Sequence, residues 1–214
     1  MIVTELVLAR HGEAVCNADG VVGGPTTCTG LTERGRGQTE RLAHRLGIEH
    51  GEQPFTAFYT TVRPRVAQSA AAVAKVIGMA PVPIDTLIGL NPGTADGQPW
   101  PEVKNAFGGP PHHDPDRPFA DGAETWSSYL DRAGKTLIDI INRDGGGRIL
   151  IVAHGETIEA AMTLLLRLPP GTSTHAGFVT DHTSITRWKH QRNRFGQDTW
   201  LLCGHNDTSH LDTA

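Results

Sequence analysis

Two largely apolar stretches of this chain stop at a histidine followed by glycine and glutamate. The first runs from Ile2 to Ala9 and ends Arg10-His11-Gly12-Glu13; the second runs from Arg148 to Ala153 and ends His154-Gly155-Glu156. A strand with water on one face alternates polar and apolar residues. Runs such as Leu6-Val7-Leu8-Ala9 and Ile149-Leu150-Ile151-Val152-Ala153 do not, which predicts strands covered on both faces. Such strands belong in a parallel sheet between two helix layers, and ligands of open α/β sheets bind just beyond the carboxyl ends of the strands. Two strand-end histidines are therefore candidates for one pocket. The glycine after each lets backbone approach a ligand closely. A helix expected directly after His154 would point free N–H groups and its positive dipole end at an anion.

The rest of the chain fits this frame. Thr32 reads as the cap of a helix reaching about Leu46, and Phe55 to Thr60 as a shorter strand. Val66, Ala70, Val73 and Ile77 fall on one helical face. A stretch crowded with proline and glycine follows, and at about 89–121 it reads as an irregular, lid-like excursion. Trp126, Leu130, Ala133, Leu137 and Ile141 mark an amphipathic helix, the helix after His154 should run to about Leu168, and Ser184–Lys189 and Thr199–Cys203 read as late strands. The expectation is a three-layer α/β/α sandwich with a largely parallel central sheet, in one domain spanning 1–214, with no internal repeat.

Composition narrows the function. With 214 residues and a net charge of -4, the chain has no global basic field to draw in nucleic acid. No apolar run approaches the roughly 18 residues of a membrane span. Met1-Ile2-Val3-Thr4-Glu5 lacks the basic-then-apolar pattern of a signal peptide. Cys16, Cys28 and Cys203 are an odd number without zinc-ligand spacing, so a reduced, cytoplasmic protein is expected.

The motifs then resemble one family along the whole chain. Arg10-His11-Gly12-Glu13 with Asn17 is similar to the signature of the histidine phosphatase superfamily, also called phosphoglycerate mutase-like. Leu31-Thr32-x-x-Gly35-x-x-Gln38 matches its next block, and Tyr59 to Ala70 resembles the block whose phosphate-binding arginine falls on Arg65. Gly122-Ala123-Glu124-Thr125, Val152-Ala153-His154-Gly155 and Asn206 to Leu211 match later blocks. The resemblance implies a phosphatase without metal or cofactor, acting on a small phosphorylated molecule. His11 would attack phosphorus to give a phosphohistidine that water hydrolyses. Arg10, Arg65 and His154 would surround the phosphoryl oxygens, with His154 held as a cation by the phosphate. Asn17 and the backbone at Gly155 would add donors.

Three departures matter. Members carry a glutamate that protonates the leaving oxygen, and in Leu87-Ile88-Gly89-Leu90-Asn91-Pro92-Gly93 its place falls on Gly89. Glu156 is the first candidate substitute, ahead of Glu13, Asp96 and Glu102. Without an acid, whose help is worth about 10²- to 10⁴-fold, leaving groups of low pKa should be favoured. Arg63 takes the place of a usually apolar residue and Pro64 precedes Arg65, which leaves the local geometry of Arg65 open; Arg63 is a candidate extra anion contact. Pro99 to Pro118 holds only Lys104 and Arg117 as basic residues, which disfavours a phosphoglycerate mutase-type phosphotransferase.

Other readings stay open. His11, His154 and His112-His113-Asp114-Pro115-Asp116 would serve a metal hydrolase, although the spacing is not that of a metal-binding helix. Loss of the acid would also fit a weakened phospho-ligand-binding module, and Cys16 lacks a local base for cysteine chemistry. Substrate and oligomeric state stay open, a homodimer being one option.

Overall fold

A computed structural model describes residues 2–169 and 176–212. One six-stranded sheet runs in the order β3-β2-β4-β1-β5-β6, with β1 at Ile2–Arg10, β2 at Ala57–Thr60, β3 at Val82–Pro83, β4 at Arg148–Ala153, β5 at Ile185–Arg192 and β6 at Asp198–Asp207. The pairs β1–β4, β4–β2 and β2–β3 are parallel, whereas β5 and β6 add an antiparallel edge beside β1. The two apolar runs are thus neighbours at the middle of the sheet, as their patterning requires.

Alternate residues of those strands feed two separate cores. Leu6, Leu8, Ile149, Ile151 and Ala153 pack with Trp126, Tyr129, Leu137, Ile158 and Met162, while Val7, Ala9, Leu150 and Val152 pack with Leu42, Leu46, Val66, Ala70 and Val73. The first set of partners comes from α5 (Trp126–Asp144) and α6 (Gly155–Leu165); the second comes from α2 (Glu33–Glu52) and α3 (Pro64–Ile77). Each fully buried large aliphatic side chain contributes roughly 1.5–3 kcal/mol, so both faces are strongly held. A short turn of helix, α1 (Val15–Ala18), follows β1.

Several boundaries differ from the sequence reading. Helix α2 continues past Leu46 to Glu52. Gly47 lies within it because a side chain there would meet Val76 of α3 at 2.5 Å, and the added turn carries Glu49 to its arginine partners. Strand β2 begins at Ala57 instead of Phe55, α6 stops at Leu165 instead of Leu168, and both late strands are longer than expected. The excursion at about 89–121 is not wholly irregular. It contains α4 (Trp100–Phe107) and short 3-10 turns at Gly93–Ala95 and Pro111–His113. Val103 and Phe107 of α4 join Val22, Ala95 and Phe119 in a third small core, which fixes the excursion over the sheet's carboxyl end. No helix among the described residues is long and apolar enough to cross a membrane.

Candidate active site

Strands β1 and β4 pair with Arg10 opposite Ala153, and the His11 N–H donates to the Ala153 carbonyl at 3.0 Å. Both strands therefore end at one level, and their histidine rings lie 5.7 Å apart in an edge-on arrangement. His11 is buried. Its Nδ1 lies 2.7 Å from the Gly12 carbonyl, which can only accept, so the proton sits on Nδ1 and the lone pair on Nε2. Arg65 donates its Nε–H to that lone pair at 3.1 Å. Burial pushes the His11 pKa well below the ordinary histidine value, and the nearby Arg65, Arg10 and His154 push it the same way. Gly12 is required here, because a Cβ would lie 2.4 Å from the Gly35 carbonyl in α2.

Arg65 enters from the first turn of α3. Pro64 occupies the first position of that helix, where its fixed φ suits and its missing N–H costs nothing, so it steadies Arg65. The guanidinium also donates to the Gly23 carbonyl at 2.9 Å and approaches His154 Nδ1 at 3.5 Å. Thr61, just past β2, holds the other ring nitrogen of His154 at 3.1 Å. His154 is fully buried as the N-cap of α6 and stands behind Arg65, outside the pocket wall. Burial lowers its pKa well below the histidine range, and Arg65, Arg63, Arg10 and Arg132 add to this. Arg10 donates to the Thr180 carbonyl and lines the pocket. Arg63 is buried but does not line it. None of Arg10, Arg63 and Arg65 has an ion-pair partner among the described residues.

The pocket, about 380 Å³, is lined by Arg10, His11, Asn17 and Arg65 and by the aromatic residues Trp100, Phe119, Trp126 and Phe178. Gly155 and Glu156 open α6 along one side. Asn17 accepts from the Ala14 N–H and from His182 Nε2 through Oδ1, which turns its amide NH₂ to donor duty. Gly89 packs on His154, where an added Cβ would lie 3.2 Å from the ring.

Among the carboxylates proposed to replace the missing acid, Asp96 is excluded. Burial works against its charge, but hydrogen bonds from Thr26, Thr27 and two backbone N–H groups hold its pKa down to about 2. Glu13 is taken by Thr32 and Arg34, and Glu102 is exposed on α4. Only Glu156 of the four lines the pocket.

Four site residues escaped sequence reasoning. Thr61 lay within a quoted motif, but nothing local revealed its contact with His154. His182 lies 5.8 Å from the His11 ring, and burial, then Arg10, lowers its pKa to about 4. Thr183, next to it, is held at a left-handed φ of 61°, costly for a β-branched residue, while its N–H donates to the His11 carbonyl at 3.2 Å. Glu159, one turn after Glu156 on α6, also lines the pocket; the i, i+3 spacing was the available signal. Cys16 touches the pocket, but its thiol is pushed up by a hydrogen bond with Cys28 and by burial, which suits no nucleophile. The run His112 to Asp116 assembles no metal-binding donor set among the described residues.

Known proteins supply independent comparisons. The model of the histidine phosphatase superfamily (branch 1) matches residues 6–202. The chain is 28% identical to the metal-independent phosphoserine phosphatase of Arabidopsis thaliana, covering 99% of this chain and 85% of that protein. It is 26% identical to the probable phosphoglycerate mutase GpmB of Yersinia enterocolitica, over 97% of this chain and 95% of the relative. The crystal structure of phosphoserine phosphatase from Entamoeba histolytica, in complex with 3-phosphoglyceric acid, superimposes with a TM-score of 0.78 at 25% identity, covering 97% of this chain and 99% of that one.

Proposed function

The chain belongs to the histidine phosphatase superfamily (branch 1), and from that premise we propose that it is a phosphatase hydrolysing a small phosphorylated metabolite through a phosphohistidine on His11, without a metal ion. One observation carries the reading. The His11 ring is buried, neutral and locked with Nδ1 protonated, so that Nε2 offers a lone pair inside a cluster of uncompensated arginines. A pure phosphate-binding module would need the arginines but not this nucleophile.

In the proposed reaction, Arg10 and Arg65 cradle the phosphoryl oxygens and, aided by Asn17 and the N–H groups that open α6 at Gly155, stabilise the charge that develops in transfer. Phosphate arriving at His11 takes over the Arg65 guanidinium from Nε2, which frees the lone pair for attack. Before phosphate binds, His154 is neutral, its pKa lowered by burial and by the surrounding arginines. As a neutral ring between Thr61 and Arg65 it accepts from Arg65 and fixes the guanidinium, and only the negative charge of a bound phosphate would favour its protonation.

A mutase must hold a second acidic group on its substrate. Beyond Arg10 and Arg65 the pocket lining offers aromatic rings, Glu156 and Glu159 in place of further Lys or Arg, which supports hydrolysis over phosphate exchange. The test is phosphate release over a varied set of small phosphomonoesters. Turnover of at least one, lost in His11→Ala, is expected; release that survives in His11→Ala contradicts the reading.

A further inference from the structure

Resting on the phosphatase reading above, we infer that Glu159 on α6 is the general acid–base of this site, replacing the carboxyl that Gly89 cannot supply. Glu159 lines the catalytic pocket together with His11 and Arg10. It stands where this pocket meets a neighbouring apolar cavity of about 490 Å³, sharing that boundary with Trp126 and Phe178. A half-buried carboxyl at a boundary lined also by two aromatic residues is poorly hydrated, which favours its protonated form. Helix side chains lean toward the helix N-terminus, here the phosphate end. Gly155 lies one turn earlier on the same face and has no side chain to block that path. Among the described residues Glu159 has no hydrogen bond or ion pair, so its proton is not committed elsewhere.

The surrounding charges agree with this placement. Burial first, and then Glu156 on the same helix, raise the Glu159 pKa to about 7 against the opposing charge of Arg10 at the end of β1. From α5, Asp131 and Lys135 line the neighbouring apolar cavity but neutralise each other at 2.7 Å. From the excursion, His112 lines the pocket with its pKa lowered by burial, so it adds little charge. Glu159 is therefore a proton donor near neutral pH, while Glu156 and Arg10 set its strength.

The chemistry closes in two steps. The Nε2 lone pair of His11 forms the N–P bond as the P–O bond to the leaving group breaks. The leaving oxygen keeps that electron pair and takes the Glu159 proton, giving an alcohol and a carboxylate. Water then attacks phosphorus and gives a proton to Glu159, the P–N bond electrons return to Nε2, and inorganic phosphate departs. With this acid in place, the sequence-based preference for low-pKa leaving groups no longer holds, and alkyl phosphates become good substrates.

The test compares kcat/KM for p-nitrophenyl phosphate with that for phosphoserine and glycerol phosphate in the wild type, in the near-isosteric Glu159→Gln and in Glu156→Gln. In Glu159→Gln the alkyl esters should lose about 10²- to 10⁴-fold and the aryl ester less than about tenfold, because a stable phenolate needs no proton to leave. The alkaline limb near pH 7 of the alkyl-ester profile should vanish in Glu159→Gln and move to lower pH in Glu156→Gln, where the charge that raises Glu159 is gone. With the aryl ester, Glu159→Gln should also accumulate phosphoenzyme, since the second step loses its base. Equal losses on both ester types, no loss, or an unmoved limb overturns the assignment, as does a wild type that cleaves only the aryl ester. Should Glu159→Gln fail to fold, the wild-type profiles decide, through the presence or absence of an alkaline limb specific to alkyl esters. A wild type with neither turnover nor phosphoenzyme on any phosphate ester instead refutes the phosphatase reading, and this inference falls with it.

Discussion

At the N-terminal ends of β1 and β4, Glu5 and Arg148 lie opposite each other in register and meet Glu49, Arg187 and Arg45 in a closed network. At the C-terminal ends, the same two strands deliver Arg10, His11 and His154 to Arg65 and Arg63, with no carboxylate bonded to any of the three arginines among the described residues. Arg148 is nearly fully saturated: its Nε and one terminal nitrogen reach Glu5 and Glu49 at 2.6 and 2.8 Å, and the other donates to the Glu49 and Gln53 carbonyls. In the other cluster, buried nitrogens such as Arg10 Nε and Arg63 Nε have no protein acceptor among the described residues. Buried charge is tolerable when paired and costly when not. One end of the strand pair is thus a structural clamp, and the other holds an unmet demand for negative charge that an arriving phosphate would satisfy.

Substitutions should separate the two ends. The largest effect is expected from Arg65→Met, which should cut phosphate release by about 10³- to 10⁵-fold, the range for losing an arginine that stabilises phosphoryl charge. Its stability should change by no more than about 1 kcal/mol, because relieved repulsion offsets lost hydrogen bonds. Arg148→Met should do the reverse, lowering unfolding free energy by about 3–5 kcal/mol because Glu5 and Glu49 stay buried without their main partner. Its kcat/KM per folded molecule should be unaltered. Denaturant titration and steady-state assays read both, and a pattern that does not cross over would dissolve the contrast.

Ligand and pH should sharpen it further. Inorganic phosphate should stabilise the wild type by about 2.7 kcal/mol at a hundred times its Kd, and Arg148→Met equally, but not Arg65→Met. The smallest effect is the pH response. His11 and His154 have folded pKa values far below their unfolded ones, so the unfolded state binds more protons at mildly acidic pH. Their stability contribution is whole above about pH 6.5 and lost as pH falls below it, by about 1.4 kcal/mol per unit for each histidine. Burial works against the Glu49 charge, but Arg187, Arg45 and Arg148 outweigh it and lower its pKa. Its contribution is present above the ordinary carboxylate value and is lost only as pH falls below about 4.3. Thermal melts across pH should show two windows. Saturating phosphate should erase the upper one, and Arg148→Met should weaken the lower one. A single window would mean that the ends do not titrate separately.

The strands that carry the site were legible because unbroken apolar runs have one physical meaning, and two of them ending in His-Gly-Glu fixed the pocket's position. Arg65 was legible through its motif, and Pro64, which left its geometry open in the sequence, is the residue that starts its helix. Helix α4 was obscured by its own punctuation. Pro99 and Pro101 at its start and Gly108 at its end, with φ of 90°, mark a helix beginning and a left-handed stop, yet among so many neighbouring prolines and glycines they read as loop. Glu159 was passed over because its only signal was its i, i+3 spacing from Glu156 on a mainly apolar helix, and a carboxylate there looks like a surface residue until the fold turns it into the pocket. His182 and Thr183 reach His11 only through tertiary packing, and no local pattern announces that.

The most direct measurement is acid-labile, base-stable phosphoenzyme, trapped by rapid quench after mixing with p-nitrophenyl phosphate and located by peptide mapping. Phosphate on His11, absent from His11→Ala, is the expected result. A phosphoenzyme that persists in His11→Ala, or turnover by the wild type with no phosphohistidine formed, would contradict the assignment of His11 as nucleophile.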